Sequence, residues 1–202
     1  SFNYSTLTRD ATLYEATSYN NLRMIDIMMN INKEVSSQNL VNLQKQNYNL
    51  FTHIIKDGFS KDETHKIDFS KYRNTEFYQF KDKGVYDAMN FALSRSSGDW
   101  VIFINGGDEI YSCDFIRHFQ SNVFPQYNSF ESYILGGDVI FHHPNTGLRR
   151  LASTKSLNEC RGIFSYRMPT CHQSMIYSSG LYQKNRFNLS FKVSSDHAYF
   201  WH

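Results

Sequence analysis

The run Trp100-Val101-Ile102-Phe103-Ile104 is apolar without a break and then turns into Asn105-Gly106-Gly107-Asp108. A run this short, bounded by turn residues, reads as a strand covered on both faces, the usual state of a parallel sheet. Such a strand needs helices above and below it. The preceding segment supplies one: Val85, Met89, Ala92 and Leu93 fall at i, i+4, i+7 and i+8, which predicts a helix from about Val85 to Arg95 with one buried stripe.

The same alternation runs back toward the N-terminus. Met24 to Met29 reads as a first strand, followed by the loop Asn30-Ile31-Asn32-Lys33. A helix over roughly residues 34–46 would bury Val35, Leu40 and Leu43. Phe51 to Ile55 reads as a second strand that stops at Lys56-Asp57-Gly58, and Glu76 to Phe80 as a third. Strand alternating with helix predicts an α/β domain with a mostly parallel central sheet and helices on both faces. After about residue 122 the pattern loosens, with strands expected at Tyr133-Ile134-Leu135, Val139-Ile140-Phe141 and Ser174 to Tyr177 set among loops. The expected organisation is a polar extension over 1–22, one half over 23–122 and a more irregular half over 123–202.

Composition narrows the partners. With 21 basic and 19 acidic side chains in 202 residues, the net charge of +2 gives no electrostatic footprint for nucleic acid. Cys113, Cys160 and Cys171 are far apart and form no CxxC, which argues against a disulfide framework and for a reducing, cytoplasmic setting. No segment approaches the ~18 apolar residues of a membrane-spanning helix. The expectation is a soluble domain whose only contact with a membrane would be peripheral.

In open α/β sheets, ligands bind beyond the carboxyl ends of the strands. The first strand is followed by Asn30 and Asn32; the second by Asp57-Gly58, Ser60 and Asp62; the third by Lys81-Asp82-Lys83-Gly84; the fourth by Asn105-Gly106-Gly107-Asp108-Glu109. Any one of these could be a turn or a helix cap. Together they would bring Asp57, Asp82 and Asp108 to one rim. A hard divalent cation shared with a diphosphate needs only one or two protein carboxylates. Neither GxxxxGK[ST] nor GxGxxG is present, which argues against ordinary P-loop or dinucleotide chemistry.

Four segments resemble the family 2 glycosyltransferases of GT-A (Rossmann-like) fold, in particular bacterial enzymes of surface-polysaccharide synthesis. Ile54 to Asp62 is similar to the family's IIDGGSTD segment, and Lys81 to Asn90 to DKGIYDAMN. Phe103 to Asp108 is similar to FLNSGD, a version of the metal-binding DxD motif, and Cys171 to Ser174 with Phe191 to Asp196 to CHQS…YKIAADYD. The likeness spans roughly residues 24–202. It implies an inverting transferase that uses a nucleotide-diphosphate sugar, with UDP-sugars favoured, and a saccharide or lipid-linked acceptor. Asn30, Asn32 and Asp57 would hold base and ribose, Asp82 and Lys83 would line the nucleotide or phosphate side, and Gly107 would admit the donor. Asp108 would bind Mn²⁺ or Mg²⁺, Asp196 would be the general base, and His172 and Gln173 would stand near the reacting sugar or acceptor.

Three positions depart from the family pattern. Phe59 replaces a glycine, Ala198 a second aspartate, and Asn105 the first aspartate of DxD. Tyr86, Phe103 and Trp100 are expected in the core. His142 and His143, adjacent on a strand, would face opposite sides and make a poor metal pair. Arg149, Arg150 and Lys155 are expected on a solvated face. The chain's aromatic end, Tyr199-Phe200-Trp201, fits a domain that relatives extend by some tens of residues. Two other readings remain: a nucleotidyltransferase, whose basic glycine-rich loop would be expected near Asn30, and a nucleotide-sugar-binding or inactive fragment of a larger transferase.

Overall fold

The computed structural model describes residues 25–31, 43–46, 50–60, 63–105, 108–143, 146–155, 168 and 170–199. The 1–22 extension, Asn32, Gly107 and most of the 34–46 helix expectation lie outside the described residues.

A six-stranded sheet carries the molecule, with a separate two-stranded hairpin. In chain order the strands are β1 (Ile25–Ile31), β2 (Phe51–Asp57), β3 (Thr75–Gln79), β4 (Trp100–Asn105), β5 (Ile134–Gly136), β6 (Val139–His142), β7 (Arg149–Ala152) and β8 (Met175–Ser178). The helices are α1 (Val85–Arg95), α2 (Phe115–Asn122), α3 (Ser179–Tyr182) and α4 (Ser195–Tyr199). The sheet order is β3-β2-β1-β4-β8-β5. Strands β1 to β4 are mutually parallel, and β8 is antiparallel to both β4 and β5. Two strands from beyond residue 122 thus complete the same sheet as the first half.

Strand β4 shows why this sheet needs two covers. Val101 and Phe103 pack with Met89, Ala92 and Leu93 of α1 and with Tyr177, Phe187 and Tyr199. Trp100, Ile102 and Ile104 point the other way, into Ile116 and Phe119 of α2, Val123 and Leu43. Each of these side chains is at most 6% exposed, so each one larger than alanine contributes roughly 1.5–3 kcal/mol of apolar burial. Helix α1 has the expected bounds, with Ala88, Met89, Ala92 and Leu93 buried. Helix α2 has apolar residues only at 115, 116 and 119, too few turns to stand out by periodicity.

Two strand ends differ from the sequence expectation. Strand β2 runs on through Lys56 and Asp57, although both are charged, and β1 runs through Asn30 and Ile31 to pair with them. The charges do not break the strand because each is satisfied where it lies. The Lys56 ammonium reaches the Asp82 carboxylate, the Asp57 and Phe80 carbonyls and the face of the Phe80 ring. The hairpin β6–β7 holds Arg149 and Arg150 at its exposed surface, with His142 and His143 on the other arm.

Candidate functional site

Leaving β1, the chain adds β2 and β3 on one side and then crosses to add β4 on the other. The order therefore reverses between β1 and β4, and their carboxyl ends open the crevice that doubly wound sheets use for ligands. Asn30 of β1 is the register partner of both Lys56 and Asn105, and Ile31 of Asp57. The expected loop at Asn30 is instead a strand end at that crevice.

Asp57, Asp82 and Asp108 stand at this one edge: Asp57 closes β2, Asp82 follows β3 by three residues and Asp108 follows β4 by three. Asp57 and Asn105 are two strands apart, roughly 10 Å at usual strand spacing. The Asp108 amide donates back to the Asn105 carbonyl at 3.1 Å, turning the chain tightly at the strand end.

The three carboxylates differ in what holds them. Asp57 is fully enclosed; its Oδ1 accepts from the Ser60 amide and hydroxyl, and its Oδ2 from Gln79 Nε2. Burial pushes its carboxyl up, but those hydrogen bonds and the neighbouring Lys56 charge outweigh burial and hold it below the usual range. Asp82 gives Oδ2 to Lys56 at 2.8 Å and Oδ1 to the Gly84 amide at 3.1 Å. Its carboxylate thus ties the loop 81–84 to Lys56 of β2. Asp108 is half-buried, and burial raises its carboxyl above the usual range against a hydrogen bond from the Asn105 backbone. A half-buried carboxylate with burial opposing its charge suits a nearby cation.

The loop 81–84 is shaped by its own residues. The Lys83 amide donates to Asp87 Oδ2 at 2.9 Å, and Gly84 sits at φ +128°, a conformation L side chains rarely adopt. The Lys83 side chain is exposed. The segment after β2 shows the reverse: Phe59, a bulky L-residue, lies at φ +65°, in the left-handed region that glycine favours.

Across the crevice, a short turn at His172–Ser174 leads into β8, and α4 carries Asp196 as its second residue. Asp196 lies inside the helix rather than at the cap position. Its Oδ1 accepts from the Tyr86 hydroxyl at 3.1 Å, and its Oδ2 is 3.8 Å from His172 Nδ1. The imidazole stacks on Phe103 at 5.8 Å and meets the Tyr177 hydroxyl at 3.2 Å. Burial lowers the His172 pKa while Asp196 pulls it up, and burial prevails. At neutral pH the ring is uncharged, so its approach to Asp196 is a polar contact and not an ion pair. Cys171 bonds through its thiol to Gln173 Oε1. Burial pushes the Cys171 thiol up, a hydrogen bond with the Gln173 backbone opposes this, and Asp108 and Asp196 both add to the rise. The thiol thus feels both carboxylates, which brings the Asp108 loop and the Asp196 helix to one place.

Sequence reasoning left Tyr86 in the core, but it is half-buried and its hydroxyl is on Asp196. Asn90 was also passed over: it accepts from the Phe187 amide and donates to the Phe187 carbonyl, both at 2.8 Å. The available signal was their spacing, because residues i and i+4 share a helix face. A cavity of about 590 Å³ lined by Phe51, Tyr72, Arg73 and Thr75 opens at the amino ends of β2 and β3, away from this crevice.

The profile of the family described as "Glycosyl transferase family 2" matches residues 27–122. Proteins described as "PGL/p-HBAD biosynthesis glycosyltransferase" from Mycobacterium bovis (strain BCG / Pasteur 1173P2) and Mycobacterium tuberculosis (strain ATCC 25177 / H37Ra) are each 27% identical over 164 residues. The match takes in 78% of this chain and 59% of each relative, so the chain spans about three fifths of their length. Among solved structures, S. aureus TarS 1-349 in complex with UDP-GlcNAc superposes with a TM-score of 0.64 at 19% identity, covering 87% of this chain and 53% of that one. The mannosyltransferase PcManGT from Pyrobaculum calidifontis, in complex with GDP-Man and Mn²⁺, superposes with a TM-score of 0.62 at 13% identity, covering 89% and 52%. At such identities the superpositions speak for the fold. The family match spans the strands that build the crevice, and the fold agrees with it: over residues 27–122 the chain is similar to glycosyl transferase family 2, and it has the GT-A fold.

Proposed function

We propose that the chain is the catalytic portion of an inverting glycosyltransferase, moving a sugar from a nucleotide diphosphate to a hydroxyl of a saccharide or lipid-linked acceptor. The observation that carries this reading is the gathering of Asp57, Asp108, His172 and Asp196 around the crevice at the β1/β4 switch point. The relatives' names and the sugar nucleotides bound to TarS and PcManGT support it. UDP-sugars are the favoured donors.

Asn30, Asn32 and Asp57 would receive the base and ribose. The loop 81–84, shaped by Asp82 and presenting Lys83, would flank the diphosphate, with Gly107 admitting the donor on the other side. Asp108 would hold Mn²⁺ or Mg²⁺. One protein carboxylate fits such an ion because diphosphate oxygens and water complete its shell. The ion would supply counter-charge to the departing diphosphate.

Asp196 is the proposed general base. The acceptor oxygen attacks the anomeric carbon, its proton passes to Asp196 Oδ2, and the bond from that carbon to the diphosphate breaks on the opposite face. Oδ2 is the candidate atom because Oδ1 takes the Tyr86 hydroxyl. His172, neutral and stacked on Phe103, would line the sugar or acceptor with Gln173. We place this activity on the cytoplasmic side, peripheral to a membrane if the acceptor is lipid-linked; the free thiols of Cys113 and Cys171 fit a reducing setting. Thermal shifts against UDP-, GDP- and dTDP-sugars with Mn²⁺, followed by donor hydrolysis, test the reading. Asp196→Asn is expected to keep the shift and lose sugar release; full turnover in that variant would remove Asp196 as base, and a parent that binds without releasing sugar would make the chain a binding module.

A further inference from the structure

The contact between Tyr86 and Asp196 joins residues 110 positions apart, linking the start of α1 to the start of α4. The direction of its hydrogen bond follows from what surrounds the hydroxyl. The Tyr86 hydroxyl gives its proton to Asp196 Oδ1, while the nearby backbone N–H groups of Ser195 and Asp196 act on it as donors and lower its pKa. Burial, and then the Asp196 charge, raise the Tyr86 pKa, so this proton stays in place across the working pH range.

The rest of α1 holds the same segment. Asn90, one turn beyond Tyr86, clasps both the amide and the carbonyl of Phe187. The Phe187 ring lies between those of Tyr86, at 5.7 Å, and Tyr199 of α4, at 4.5 Å. Just before Tyr86, α1 grows from the loop 81–84, which Lys56 and Asp82 tie to β2. One helix thus connects the loop beside the donor crevice with the proposed base.

We infer that Tyr86 is a positioning residue for Asp196: it fixes one carboxylate oxygen, and the α4 amides behind it, so that the other oxygen faces the reacting hydroxyl. The inference rests on the reading of Asp196 as general base and adds the residue that sets its geometry. Losing a hydrogen bond to a charged group corresponds to roughly ten- to a hundredfold in rate.

The test is Tyr86→Phe, which keeps the ring and its stacking and removes only the hydroxyl, in the 202-residue chain. Hydrolysis of UDP-GlcNAc in Mn²⁺ should show a kcat reduced at least about tenfold with KM little changed. Amide exchange at Ser195 and Asp196 should quicken while the β4 amides keep their protection. In Asp196→Asn, adding Tyr86→Phe should cost little further, because the two act as a unit. If Asp196→Asn is inactive and Tyr86→Phe turns over like the parent, this inference fails and the functional reading stands. If Asp196→Asn is itself fully active, the base assignment fails and takes this inference with it. Unchanged exchange at Ser195 and Asp196 in Tyr86→Phe overturns the positioning role even where hydrolysis is too slow to follow.

Discussion

The Lys56 Nζ lies 2.8 Å from Asp82 Oδ2, with the two side chains only 1% and 9% exposed. The pair also joins β2 to the loop that follows β3. A buried charge left without its partner is far costlier than a buried pair is favourable. Asp82→Ala, which strands the ammonium, is expected to cost about 3 kcal/mol in urea unfolding. The double change Lys56→Met with Asp82→Asn should cost clearly less than that single one. Equal losses would mean that charge burial is not what makes the pair matter.

Phe59 is 53% exposed and holds φ at +65°. The left-handed region costs an ordinary L-residue about 1–2 kcal/mol, part of which glycine's larger unfolded-state entropy offsets. Phe59→Gly should therefore stabilise the fold by about 0.5–1 kcal/mol, read as a higher urea midpoint with an unchanged slope. A lower midpoint would show that the Phe59 ring contributes more than its exposure suggests.

Stability should fall in acid before the carboxylates titrate. His53 is wholly buried, its Nδ1 3.5 Å from the Thr75 hydroxyl, and burial lowers its pKa from 6.5 to about 3. Between these values the unfolded chain binds a proton that the folded chain does not. Stability then decreases as pH drops from about 6.5 toward 3, by at most about 1.4 kcal/mol per pH unit from this group. His172, also lowered by burial, acts in the same direction. Asp57, held below the usual carboxylate range, contributes stability that is present above that range and lost as pH falls through its folded value. His53→Gln should flatten the upper part of the profile in denaturant titrations at pH 7, 6 and 5. A slope equal to the parent's would place the acid sensitivity elsewhere.

The frame of the molecule was readable because its signals are local and repeated. The apolar run of β4 and the i, i+4, i+7, i+8 stripe of α1 each need only a few neighbours to declare themselves. Strand ends were harder: Lys56 and Asp57 look like a stop until Asp82, Ser60 and Gln79 are seen to satisfy them, and those partners are remote or ambiguous in sequence. Tyr86 shows the same limit at the site. An aromatic residue beside a helical stripe reads as core, and only the return of the chain 110 residues later reveals what its hydroxyl meets. Asp57, Asp108, His172 and Asp196 were singled out by family likeness, and what the structure adds is their setting; the contact of Asp82 with Lys56 is one that no local pattern encodes.

The proposed activity requires the crevice at the ends of β1 and β4 to take a nucleotide diphosphate together with a divalent cation at Asp108. Calorimetric titration of UDP, and then GDP, into the parent and Asp108→Ala, each in Mn²⁺ and again in EDTA, addresses it directly. One nucleotide is expected to bind the parent at least about tenfold more tightly with Mn²⁺, a difference of about 1.4 kcal/mol or more, and Asp108→Ala to be indifferent to the metal. A variant that titrates like the parent in Mn²⁺, or a parent whose affinity is the same in EDTA, would contradict it.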